Sequence, residues 1–312
     1  MNTYRPLFLQ RLSAAALAVT LLSGAAAHAD TIATDAGVPA IMDSGGTAGN
    51  PDTYILGQAS NYTRAFSGNS IIGENTSYNE LIVQNGAAIT SEPFTMAWRD
   101  TSHYNSLILK GGSIWDASGN YIVIGSYGHD NTVTISEGSK MMGGTLFLNR
   151  TGSESYNNQL TISGNGSEMT LTSAVYVGSS FVGSNAVLTL ENSGLLRVDN
   201  NAIWAFSVGE GSTVRFDGGY IAWLGEVTYN RLQTAADNGL IQAWNGESWQ
   251  TSSAADVRWK YYATDEEGLL ETGIDGLGGY TVLTAVPEPG TWALLGAGLL
   301  GLALRRRFQT RS

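Results

Sequence analysis

From Asn79 onward the chain alternates apolar and polar residues in short runs, and each run ends at a turn rich in Gly, Asn or Ser. The runs NELIVQNGA (79), NSLILKGGS (105), NTVTISEGS (131), NQLTISGNGS (158), NAVLTLENSG (185) and GSTVRFDGG (211) share one design. A polar turn leads into apolar-x-apolar, and a second turn follows. Taking Leu81, Leu107, Val133, Leu160, Leu188 and Val214 as equivalent, the steps are 26, 26, 27, 28 and 26 residues. Alternation of period two predicts strands with one buried face. Recurrence at a nearly fixed interval predicts a solenoid or a propeller.

Two further strands fit between successive runs. SIW (113), KMM (140), EMTL (168) and LLRV (195) follow the first turn, and YIVIG (121), TLFLN (145), AVYVG (174) and AFSVG (205) come after them. A unit of three short strands is too small for a propeller blade, which needs about 40 residues. It fits one coil of a right-handed parallel β-helix. The predicted fold class is therefore all-β, with about six coils of 26–28 residues; an antiparallel β-sandwich is the alternative. In a β-helix the aliphatic positions stack into one dry interior. The Asn before each strand is expected to form turn ladders, because Asn tolerates left-handed backbone and bonds locally.

Five segments follow. Residues 1–29 read as a signal peptide: Arg5 and Arg11 precede an apolar run that closes on Ala27-His28-Ala29, a small-x-small cleavage pattern. The mature chain would begin at Asp30, outside the cytoplasm. Residues 30–78 are an entry cap and first coil, and residues 79–225 the repeats. Residues 226–285 break the period and concentrate aromatics, with a last strand at GYTVLTAV (279). A solenoid must cover its open end, so this region is expected to be a cap. Trp244, Trp249, Trp259, Tyr261 and Tyr262 either pack there or stack on sugar rings.

Residues 286–312 form the tail. Its strictly apolar part, Trp292 to Leu304, has 13 residues, about 20 Å as a helix against a hydrocarbon core of about 30 Å. Adding residues 287–291 and letting Arg305, Arg306 and Arg307 reach toward headgroups makes a marginal transmembrane helix with the arginines on the cytoplasmic side. Val286-Pro287-Glu288-Pro289, then an apolar helix, then an arginine cluster, closely resembles the PEP-CTERM sorting signal of exported bacterial proteins. The resemblance implies an inner-membrane-anchored precursor that an exosortase-type transpeptidase recognises and cleaves near Pro287, Glu288 and Pro289. It also implies a destination in the outer envelope, cell surface or extracellular matrix, in association with exopolysaccharide. Prolines on both sides of Glu288 deny helix and sheet, which keeps the motif extended. The repeats themselves resemble autotransporter passenger regions, on the looser pattern x-L-x-I-x-x-G-S.

Charge narrows the partners. The full chain carries −11. Without Arg5, Arg11, Arg305, Arg306, Arg307 and Arg311, 10 basic residues face 27 acids, a charge of about −17. Such a surface repels phosphate backbones, which argues against nucleic acid. The chain has no Cys, so it holds neither a disulfide nor a thiolate metal site. His103 and His129 remain after the leader is lost, too few for a histidine-based metal site. No metal or cofactor is expected.

An enzyme on this scaffold would need clustered acids. The candidates are Asp100, Asp116, Asp130, Glu137, Glu210 and Asp217. Only Asp100 and Asp130 fall near comparable turns one coil apart, and no Lys/Arg pair accompanies them. There is no nucleophile elbow, and Gly209 and Gly211 lack the lysine of a phosphate loop. The expectation is a non-enzymatic structural or adhesive protein. A carbohydrate-binding module and, less favoured, a β-helix polysaccharide lyase or hydrolase are the alternatives.

Overall fold

A computed structural model of the chain describes residues 31–285, apart from 118, 152–153, 179–183, 203–204, 227–230 and 253–256. The chain winds through a β-solenoid of about seven turns, each with three faces. The first face stacks Asp52–Leu56, Asn79–Val83, Ser106–Leu109, Thr132–Ile135, Gln159–Ser163, Val187–Glu191 and Thr213–Asp217, each strand parallel to the next. Thr31–Thr34 precedes this row, and Ile241–Trp244 follows it. The second face runs from Thr63–Ala65 through Ala88–Thr90 and Ile114–Asp116 to Leu195–Val198 and Tyr220–Leu224. The third runs from Ile41–Met42 through Ser70–Ile72, Phe94–Met96 and Ile122–Ile124 to Phe206–Val208. Parallel pairing throughout the repeats sets aside the antiparallel sandwich.

The six equivalent residues form one column. Leu81 lies opposite Leu107, Leu107 opposite Val133, then Leu160, Leu188 and Val214 follow in register, all buried. Tyr54 and Ile241 extend the column at its ends. Two residues further on, Val83, Leu109, Ile135, Ile162, Leu190 and Phe216 make a second column. A period of two within each rung sends these side chains inward and their neighbours outward.

In two turns the second and third faces merge. KMM and TLFLN belong to one strand, Lys140–Leu148, and EMTL and AVYVG to another, Glu168–Val177. Their pairing slips by one residue between Gly143 and Thr145, so the ribbon bends at the corner without a loop. Glycine is required there: a Cβ on Gly144 would stand 2.0 Å from the carbonyl oxygen of Gly119.

The corner before the first face is held by a buried amide ladder. Asn105 Oδ1 accepts from the backbone N–H of Asn79 at 3.0 Å and from its Nδ2 at 2.8 Å. Asn131 accepts the same pair from Asn105 at 2.9 and 3.1 Å, and Asn158 from Asn131 at 2.9 and 2.7 Å. All four are essentially without solvent exposure. Asn158 Nδ2 ends the ladder on Asn149 Oδ1 and the Gly128 carbonyl. At the next coil Ala186 replaces Asn, and its N–H turns to Ser212 Oγ at 3.1 Å. The left-handed residue is not the ladder Asn but the one before it: Tyr78, Tyr104, Asp130, Asn157 and Asn185 have φ between 45° and 60°. That residue makes the turn and frees the Asn side chain to reach along the solenoid axis.

The aromatic region closes the solenoid by reversing direction. Trp249–Thr251 pairs antiparallel with Ile241–Trp244, and Tyr280–Ala285 pairs antiparallel with both Tyr220–Leu224 and Val257–Tyr262. Helix Asp265–Thr272 packs outside, capped by Thr264 and acidic in its first turn, as the helix dipole favours. Arg197 ties the cap down. It donates to the Gly276 carbonyl at 3.0 Å, pairs with Glu168 at 2.8 Å and lies over the Tyr280 ring.

Deleting a ladder amide leaves its buried neighbours unpaired, which costs about 1–3 kcal/mol per group. Urea unfolding of Asn131→Ala should therefore show a loss of at least about 2 kcal/mol, and Leu188→Ala a loss of about 2–5 kcal/mol. Thr189→Ala, whose side chain points outward, should change stability by less than about 1 kcal/mol.

Candidate functional site

Three surfaces bring together residues with chemical potential. The first is the cap. Trp244 and Trp249 pack edge to face with centroids 5.3 Å apart, and Arg215 lies 5.3 Å over the Trp249 ring. Trp259, 40% exposed, instead lines a cleft of about 600 Å³ with Tyr220, Lys260, Tyr262 and Glu271. The cleft's polar groups already serve each other: Lys260 pairs with Glu271, and Tyr262 Oη donates to Glu271 at 3.0 Å. Burial, with the Glu271 carboxylate beside it, pushes the Tyr262 phenol up to about 12. The structure thus joins Trp244 to Trp249 and places Trp259 on a separate cleft.

The second surface is the turn between the third and first faces. His103, His129 and Tyr156 come from successive coils, and their rings stack at 3.6 and 4.3 Å between centroids. The His129 backbone N–H donates to His103 Nδ1 at 3.3 Å, which assigns the His103 proton to Nε2. His129 Nδ1 sits 2.6 Å from Asp130 Oδ2, and Tyr104 packs its edge against both imidazoles. Burial, reinforced by the neighbouring His129, holds the His103 imidazole below its ordinary range, while Asp130 and Asp100 pull the other way. Imidazoles stacked face to face do not converge on one ion, and no three metal-ligating side chains cluster among the described residues. The separation of the two histidines equals the repeat step of 26 residues, so their stacking was available from the spacing.

The third surface adjoins the second. Trp98, Arg99, Asp100, Tyr127 and Glu154 line a groove of about 420 Å³. The other acids scatter. Asp116 lies on the second face, Asp217 ends the first-face strand Thr213–Asp217, Glu137 lies in the turn after the first face, and Glu210 lies in the turn after the third. Asp100 and Asp130 occupy the same corner of consecutive coils, as their sequence phase suggests.

The chain leaves the described fold at Ala285, which pairs with Val257. Residues 285–307 match the family model described as the PEP-CTERM protein-sorting motif. The chain carries a PEP-CTERM sorting motif. The match contains Pro287, Glu288, Pro289, Trp292, Leu304, Arg305, Arg306 and Arg307, all outside the described residues, as are Ala27 and Ala29 of the leader. Neither a curated protein nor a solved structure matches the chain. Among the described residues no helix is long and apolar enough to cross a membrane.

The His103 stack makes stability depend on pH. An imidazole held below its ordinary range in the fold lets the unfolded chain bind the proton first, so stability falls as pH drops below about 6.5. Thermal melts at pH 7.5 and 5.5 should show a drop for the natural chain and a smaller one for His103→Gln. An equal drop in both would remove His103 from the account.

Proposed function

We propose that the protein is an exported, tail-sorted structural or adhesive element of the cell envelope or extracellular matrix, without enzymatic activity. The sorting motif at residues 285–307 carries this reading. It supports a membrane-transiting precursor that an exosortase-type transpeptidase processes near Pro287-Glu288-Pro289. The last described strand, Tyr280–Ala285, stops two residues short of Pro287, so cleavage near Pro287-Glu288-Pro289 would leave the described solenoid and cap intact. A rigid array of parallel rungs suits a load-bearing or spacing role, because the strands of each inner coil are hydrogen-bonded to the coils on either side. The separation of Asp116, Glu137, Glu210 and Asp217 from one another and from Asp100 and Asp130 supports a non-catalytic role. The proposed setting is an exopolysaccharide-rich matrix.

Mass spectrometry of the protein recovered from its native envelope tests the sorting. In cells with the transpeptidase the mature C-terminus should lie close to residues 287–289. In cells without it, or with Pro287, Glu288 and Pro289 all changed to Ala, the tail should persist. A full-length tail in every strain would overturn processing.

A further inference from the structure

The groove lined by Trp98, Tyr127 and Glu154, at the corner between the third and first faces, contains chemistry that the sorting reading leaves unused. Trp98, Tyr127 and Glu154 come from three consecutive coils, so the groove runs along the solenoid axis across rungs about 4.8 Å apart. Its walls are fixed by backbone. Trp98 N–H donates to the Gly73 carbonyl at 3.1 Å, and the N–H groups of Ser126, Tyr127 and Gly128 all reach the Ala97 carbonyl at 3.1–3.4 Å. Gly128 cannot carry a side chain, since a Cβ there would stand 1.7 Å from the Ser102 carbonyl oxygen. The turn therefore presents Tyr127, 41% exposed, beside the half-buried Trp98. Two aromatic rings on a preformed backbone offer apolar faces at little entropic cost.

The rim is polar and open to solvent. The side chains of Arg99, Asp100 and Glu154 are exposed and make no hydrogen bond or ion pair with other described residues, unlike those of Lys260, Tyr262 and Glu271 in the cap cleft. Two carboxylates accept from hydroxyls, and one guanidinium donates to ring or hydroxyl oxygens. Aromatic faces flanked by such groups complement a pyranose ring with free hydroxyls. The charge of the whole molecule selects further: a chain at −11 repels polyanions, and this groove adds two carboxylates against one cation.

We propose that this groove binds a neutral polysaccharide, with sugar rings on Trp98 and Tyr127 and hydroxyls on Asp100, Glu154 and Arg99. The proposal rests on the matrix reading and deepens it, naming the site and the class of glycan. It also moves the sugar contacts away from the cap tryptophans.

Affinity electrophoresis of the full chain in mild detergent tests it, with dextran, hydroxyethylcellulose, galactomannan or polygalacturonate cast in the gel. At least one neutral polymer should retard the chain, and polygalacturonate should not. Tyr127→Ala and Trp98→Ala should each weaken retardation about tenfold, and Asp100→Asn several-fold, while Trp259→Ala stays within twofold. Because Trp98 is partly buried, melting curves must match the natural chain, and the exposed Tyr127 variant decides if Trp98→Ala unfolds. No retardation by any neutral polymer, stronger retardation by polygalacturonate, or loss on Trp259→Ala alone would overturn the proposal. None of these outcomes depends on whether the tail is cleaved, so failure here and failure of sorting are separate.

Discussion

Each coil must return to the same place after 26–28 residues, so that its strands bond in register to the coil before it. Most of the structure follows from that constraint. Because parallel strands cannot be joined by a tight hairpin, every rung needs a full circuit, spent on two more strands and their turns or, where the second and third faces merge, on one long bent strand. In-register stacking then puts Leu over Leu and Asn over Asn. The aliphatic columns supply the dry interior. The ladder of Asn79, Asn105, Asn131 and Asn158 satisfies buried backbone N–H groups at the corner before the first face.

The same constraint explains why the corners vary while the faces do not. A side chain on a rung must match its neighbours above and below, so the first face repeats Leu, Val and Ile. A corner needs only to turn and return. Between the third and first faces the turns differ in length and carry Trp98, the stacked histidines and the exposed Tyr104 and Tyr127. The fold thus concentrates its chemical diversity along one edge, on a backbone made rigid by the rungs on either side. At the C-terminal end the stacking must stop. Antiparallel strands bring that about, since Tyr280–Ala285 and Val257–Tyr262 close the second face with no further parallel rung.

What could be read from the chain divides along physical lines. The column from Leu81 to Val214 was legible because an aliphatic residue at a constant interval reports both burial and register. The three strands per unit were legible from their turns. The merging of KMM with TLFLN was not, because a Gly-Gly pair reads as a turn and here makes a bend within one strand. The role of Asn was half legible: a ladder was expected, but the left-handed conformation falls one residue earlier, on Asp130, Asn157 and Asn185 and also on Tyr78 and Tyr104, a type that carries little turn signal. The cap's reversal depends on long-range pairing that no local pattern encodes. Neither does the groove appear in the sequence, since Trp98, Tyr127 and Glu154 meet only once the coils are stacked; Asp100 alone was noticed, as an acid in phase with Asp130.

Since the chain has no native cysteine, cross-linking reads the register most directly. Thr134 lies opposite Thr161, and Thr161 opposite Thr189, all on the outward side of the first face. Adjacent rungs about 4.8 Å apart fall within disulfide reach, and rungs two apart do not. Under mild oxidation the Thr134→Cys/Thr161→Cys variant should form an intramolecular disulfide, while Thr134→Cys/Thr189→Cys stays reduced. A disulfide in the second variant but not in the first would contradict the parallel, in-register stacking.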